Sequence, residues 1–231
     1  MIRVLRRRSV VRFVAWAVGI ALTASMSAAR AEGAFAQLYA ARPPAGSSFV
    51  RVVNPGDAPL RVRIADGPAQ TLAGERMAST YAIVRANLPF SVVLDGKVFK
   101  RQVAPDTFTT LVAKREGDHR SLQAIDDTGA AQDALKADLR FYSLVQGCEG
   151  RLDVAGAGGP TLFPSVAAYS AAGRGIRPVA AALSASCGAS QSATYKLPAL
   201  QPGDHYSLFL TGSAAAPVLR GQLSEVDPYR Q

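Results

Sequence analysis

The sequence predicts an all-β fold: two tandem antiparallel β-sandwich domains after a cleaved N-terminal signal peptide. Three observations predict it. Short runs of β-branched and aromatic residues recur along the chain, each bounded by Asn, Asp, Pro or Gly. No apolar i, i+3, i+4, i+7 pattern persists for three helical turns. The first 31 residues have the layout of an export address, basic and then apolar and then small.

In that leader, Arg3, Arg6, Arg7, Arg8 and Arg12 precede an apolar stretch from Phe13 to about Met26, and Ala29-Arg30-Ala31 closes it. An A-x-A site predicts cleavage near Ala31, with retention as an anchor as the alternative. The apolar run is short and interrupted by Thr and Ser, so the processed chain is not expected to be an integral membrane protein. No Cys follows it to carry a lipid. The leader also distorts the charge. It holds six of the 26 basic residues and none of the 17 acidic ones, so the formal +9 of the whole chain falls to +3, 20 against 17, without it. A nucleic-acid footprint needs a clustered basic surface, and none survives.

Residues 32–46 read as an extended N-terminal segment and 47–125 as the first sandwich. Ser48 to Val53 forms a strand that stops at Asn54-Pro55-Gly56-Asp57. Leu60, Val62 and Ile64 alternate with Arg61 and Arg63, a period of two that buries one face and wets the other. Phe90 to Leu94 and Val98 to Val103 flank Asp95-Gly96, a two-residue loop whose positive φ matches the twist of a hairpin. Thr107 to Ala113 is a further strand, and Leu122 to Ile125 a short edge strand. Residues 126–137 read as a linker with one helical turn over Ala130 to Leu135, and Asp126-Asp127 within it as a solvated pair.

The second sandwich, 138–231, follows with strands at Leu139–Val145, Arg151–Val154, Ser165–Tyr169, Pro178–Leu183, Ala193–Leu197, His205–Leu210 and Pro217–Leu223. The Gly/Ala-rich stretches between them read as loops. The halves resemble one another: the opening and closing aromatics are 59 residues apart in the first (Phe49, Phe108) and 65 in the second (Phe141, Tyr206). Duplication would explain this, as would a shared β vocabulary.

Cys148 and Cys187 are expected to pair in an exported chain, closing a loop of about 40 residues that stabilises by roughly 4 kcal/mol in the loop-entropy model. Their spacing is not that of a redox motif, and with only His119 and His205 to accompany them no metal site is expected. No cofactor fingerprint occurs. For catalysis, no G-x-S-x-G elbow is present. The least bad constellation is His205 with Asp204 and Ser207, but neighbours on a strand point to opposite faces, which counts against Asp204 orienting His205. No catalytic residue is assigned. Leu38 and Tyr39, an apolar pair ahead of the first strand, are a candidate partner-docking segment; packing on the first domain is the other reading.

Leu38-Tyr39 followed by Pro44-Ala-Gly-Ser-Ser-Phe-Val-Arg-Val-Val-Asn54 resembles the mature N-terminus of the alginate O-acetylation accessory protein family AlgF. Asp106-Thr-Phe-Thr-Thr-Leu-Val112 and Tyr206-Ser-Leu-Phe-Leu-Thr-Gly212 are similar to its domain-closing strands. The second half departs from the family in its two cysteines and its Gly/Ala-rich insertion. The resemblance implies a periplasmic adaptor of two β-sandwiches serving a membrane-bound O-acyltransferase and periplasmic SGNH-type acetyltransferases. Such proteins help decorate an exopolysaccharide, alginate or a relative such as cellulose. It carries no catalytic residues over. The polysaccharide itself is a further candidate partner. Direct carbohydrate binding or acetyl transfer is the alternative function.

Overall fold

The computed structural model describes residues 43–128, 133, 135–178 and 180–229. The leader with its cleavage site, Leu38, Tyr39 and most of the helical turn expected over Ala130 to Leu135 lie outside the described residues. Among those described, every regular element is a strand, and no helix is long and apolar enough to cross a membrane.

The first half of the chain forms eight strands in two sheets. One sheet joins β1 (Ser47–Val53), β4 (Ala82–Arg85), β7 (Phe108–Glu116) and β8 (His119–Asp126) in the order β4-β1-β7-β8. The other joins β2 (Leu60–Ile64), β3 (Gln70–Leu72), β5 (Phe90–Leu94) and β6 (Lys97–Arg101) in the order β3-β2-β5-β6. Val50, Val52, Leu60, Val62, Val92, Leu94 and Leu111 fill the space between them.

The second half repeats this plan. β9 (Ala137–Ser143), β12 (Ser170–Ile176), β16 (His205–Gly212) and β17 (Pro217–Leu223) run in the order β12-β9-β16-β17. β10 (Gly150–Val154), β11 (Thr161–Val166) and β13 (Ala181–Cys187) form the opposing sheet, with β14 (Ser190–Gln191) and β15 (Tyr195–Leu197) both paired to β13. Leu139, Phe141, Leu152, Leu183, Leu208 and Leu210 fill this second core.

The all-β double sandwich expected from sequence is therefore the fold, with one addition. The opening and closing strands of each half run parallel: β1 with β7, where Phe49 faces Phe108, and β9 with β16, where Phe141 faces Leu208. A parallel pair needs a long crossover; here the crossover is the rest of its own sandwich. The two halves thus share strand order, strand direction and crossover.

Some strands escaped the sequence reading. β3 and β4 are short, and β12 is Ser-Ala-Ala-Gly-Arg-Gly-Ile, poor in the residues that favour strands. β12 forms because its backbone completes the ladder to β9 at seven positions. The strand expected at Ser165–Tyr169 lies earlier, at Thr161–Val166, since Tyr169 takes a positive φ of 56° in the turn before β12. The Asp95-Gly96 hairpin forms as expected, with φ of 45° and 87°.

Cys148, in the turn two residues before β10, is disulfide-bonded to Cys187 at the end of β13, 39 residues on, so the bond pins the β9–β10 turn to the end of the β10–β13 ladder, where Gly150 pairs with Cys187. Replacing both by Ala is expected to cost about 2–5 kcal/mol. Urea denaturation followed by fluorescence should show the midpoint falling, and reductant should lower the native protein's midpoint in the same direction.

Candidate functional site

A strand buried on one face alternates apolar and polar residues; one buried on both does not. β1, β7, β9 and β16 are buried at successive positions. Their inward residues belong to their own sandwich. The opposite faces pack on one another, so the β4-β1-β7-β8 sheet lies against β12-β9-β16-β17. Val53, Met77, Val112, Ile125, Tyr142, Leu144 and Phe209 make the apolar part of this seam.

At its centre is Arg51, 1% exposed. Alternation along β1 sends Val50 and Val52 into the first core and Arg51 into the seam. Its Nε donates to Thr110 Oγ1 at 2.8 Å on β7. One terminal nitrogen donates to Ser224 Oγ at 3.0 Å, and the other to Tyr142 Oη at 2.6 Å and Ser207 Oγ at 2.9 Å. The guanidinium carbon also lies 4.5 Å from the ring centre of Tyr81 and 5.2 Å from that of Tyr142, in reach of a cation–π attraction. Partners from both sandwiches thus replace the water that Arg51 loses.

The balancing anion is Asp127, 4% exposed, just beyond β8. It does not touch Arg51 directly. Thr110 and Tyr142 each accept from Arg51 and donate to Asp127, Tyr142 at 2.9 Å to Oδ1. Tyr81 donates to Oδ2 at 2.8 Å. Arg140 reaches the same carboxylate at 3.7 Å and donates to the Asp127 carbonyl. The solvation expected of Asp126-Asp127 holds for exposed Asp126 and fails for Asp127, because the chain leaving β8 turns into the seam.

Burial alone would lower the Arg51 pKa, but Tyr142, Tyr81 and Asp127 outweigh it and hold the value above the usual guanidinium range. Burial pushes Tyr81 well up, against the opposing pull of Arg51, and pushes Tyr142 up in the same way.

A strap closes the seam. After β17, Tyr81 donates its N–H to the Glu225 carbonyl and accepts from Asp227, and Thr80 Oγ1 donates to Asp227 at 2.6 Å. Gln222 makes two hydrogen bonds to the Ala78 backbone, at 2.8 and 2.9 Å.

Beside this network the seam opens into a cleft of about 330 Å³ lined by Asp106, Phe108, Asp138, Arg140, His205 and Ser224 among others. His205 Nδ1 lies 3.5 Å from Asp138 Oδ2, so the carboxylate facing this histidine is Asp138 on β9. Asp204 instead accepts from the Gln201 N–H in its own turn. His205 and Ser207 share a face of β16, but Ser207 Oγ is taken by Arg51 and by Ser224 at 2.9 Å. Among the described residues no hydrogen bond joins His205 to Ser207. Asp138 Oδ1 is buried without a donor, a state that costs about 1–3 kcal/mol. His119 begins β8 at an exposed position. Among the described residues no group of three or more His, Cys, Asp or Glu could hold a metal ion.

Sequence reasoning missed the Arg51–Asp127 network. The available signal was apolar character on both faces of Phe49-Val-Arg-Val-Val53, Thr110-Leu-Val112 and Tyr206-Ser-Leu-Phe-Leu210, the mark of strands covered on both sides.

The family model described as alginate O-acetyl transferase AlgF matches residues 17–207. No curated protein matches the chain.

Arg51→Met is expected to cost about 3–5 kcal/mol, because Asp127 is left buried without its counter-charge. Combining it with Asp127→Asn should cost less than the sum of the two single changes, measured by urea denaturation. A separate expectation concerns alkali. Tyr81 and Tyr142 bind their protons more tightly folded than unfolded, so their contribution is complete below the ordinary tyrosine value near pH 10. It is lost as pH rises from there towards the folded values. Thermal melting should therefore drop above about pH 10, more steeply in the native chain than in Tyr142→Phe.

Proposed function

Because the chain belongs to the alginate O-acetyl transferase AlgF family, whose name implies involvement in alginate O-acetylation, we propose that it is a non-catalytic periplasmic adaptor of that system. In this reading it bridges a membrane-bound O-acyltransferase and SGNH-type periplasmic acetyltransferases. The leader takes it to the periplasm, and Leu38 and Tyr39 form a docking segment for one partner. The polymer it serves is alginate or a related exopolysaccharide.

One observation supports adaptor over enzyme most directly. The hydroxyls gathered in the seam, those of Thr110, Tyr142, Ser207 and Ser224, all accept from the Arg51 guanidinium. A serine nucleophile needs a base hydrogen-bonded to it; Ser207 has a cation and a second serine there. Its chemistry is that of a fastener.

His205 beside Asp138 at the cleft supports a second reading, in which the protein binds sugar or transfers acetyl groups itself. His205 Nδ1 facing a carboxylate leaves the other ring nitrogen for a substrate proton, as a general base requires.

The two separate in a deletion strain complemented with His205→Ala. The adaptor reading expects polymer acetylation within about twofold of wild type, since surface substitutions seldom move stability by more than about 0.5 kcal/mol. Loss of acetylation with an unchanged melting temperature contradicts it. Purification of the native complex should recover the acetyltransferases with wild type; recovery of neither partner also counts against the adaptor.

A further inference from the structure

The outer face of the first sandwich carries uncompensated charge. Leu60, Val62 and Ile64 of β2 point into the core, so Arg61 and Arg63 point out. In the ladder Arg63 pairs with Val93, Val93 with Val98, and Ser91 with Lys100. Arg61, Arg63, Val93, Val98 and Lys100 therefore share one surface, with Val98 57% exposed. Lys100 donates to Ser91 Oγ at 2.8 Å, which fixes it over this face. Among the described residues neither Arg61 nor Arg63 has an acceptor for its guanidinium. The acid at the β5–β6 hairpin, Asp95, is held by Arg120 at 2.7 Å.

The repeat supplies an internal comparison. β10 is the counterpart of β2, and in the same alternation it presents Arg151 and Asp153. These close on one another at 2.8 Å, so the matching face of the second sandwich satisfies its own charges. Lysines on an edge strand guard against edge-to-edge pairing. That accounts for Lys97 and Lys100 on β6. It does not account for Arg61 and Arg63, since β2 lies inside its sheet between β3 and β5.

We propose that this face is a docking surface whose occupant is a folded protein presenting an acidic patch. The proposal rests on the adaptor reading and names the surface that reading requires. Charge complementarity selects an acidic partner, and the centre selects a protein. Val93 and Val98 form an aliphatic middle framed by cations, the apolar-centre, polar-rim layout of protein interfaces. A polyuronate would also answer these cations, but the C–H faces of its sugar rings stack on aromatic rings, and the centre of this face is aliphatic. The aromatic side chain of β6, Phe99, packs on the core side instead, with Lys97 and Arg101 over it at 5.5 and 6.0 Å.

The test is binding of the full mature chain to the purified SGNH-type periplasmic acetyltransferase of the same system, at about 50 mM and about 300 mM salt, either side of physiological screening. The triple variant Arg61→Ser/Arg63→Ser/Lys100→Ser should bind at least about tenfold more weakly at low salt and lose most of the salt dependence, since rim charges act through long-range attraction. Lys196→Ser, in the second sandwich, should bind as wild type, and all variants should melt with it. Polymannuronate is the second probe, and neither wild type nor the triple variant should bind it. Undiminished acetyltransferase binding by the triple variant overturns this proposal and leaves the adaptor standing. Polymannuronate binding that the triple variant loses overturns it in favour of the polymer. Failure of wild type to bind the acetyltransferase removes the adaptor reading, and this surface with it.

Discussion

The guanidinium of Arg51 cannot surrender its proton, and it lies where water does not reach. Everything around the seam follows from keeping that charge solvated by protein. Its hydroxyl partners come from β7, β9, β16 and the segment after β17. Its counter-charge, Asp127, comes from the turn after β8. Thr110 and Tyr142 stand between the two as donors and acceptors at once, which spreads the interaction over a chain of polarised hydrogen bonds. A half-satisfied network of this kind would be worse than an apolar seam. The two sandwiches are thereby obliged to meet in one register.

That obligation shapes how the protein can work. Two domains on a loose linker would present surfaces whose relation changes. Here the inner sheets are back to back, fastened by Arg51, by Gln222 on Ala78 and by the strap from Ser224 to Asp227. The outer sheets, β3-β2-β5-β6 and that around β13, are left as separate faces of one body. The adaptor role proposed above calls for fixed faces more than for a reactive group. The cleft beside the seam, with Asp138 and His205, is where a reactive group would have to be sought.

Much of the fold was legible because its strands obey simple alternation. Leu60 to Ile64 reads as one buried face and one wet one, and the Asp-Gly loop at 95–96 announces its hairpin. β12 was illegible for the opposite reason: Gly and Ala carry no strand preference, and only the ladder offered by β9 makes the segment a strand. The site was less legible than the fold. An arginine among valines looks like the wet side of a half-buried strand until a second sheet covers it, and nothing local says that it will. An aspartate after a strand looks like a solvated turn. Pairing of β1 with β7 and of β9 with β16 supplies their shared environment, at separations far longer than any local pattern. The facing of His205 by Asp138 rather than Asp204 has the same origin.

Native-state hydrogen exchange tests the central claim most directly. If the Arg51 network joins the sandwiches into one cooperative body, amides in β1, β7, β9 and β16 should exchange through a single opening. They should share one free energy and one denaturant dependence. Protection of β9 and β16 that survives after β1 and β7 have opened would contradict it.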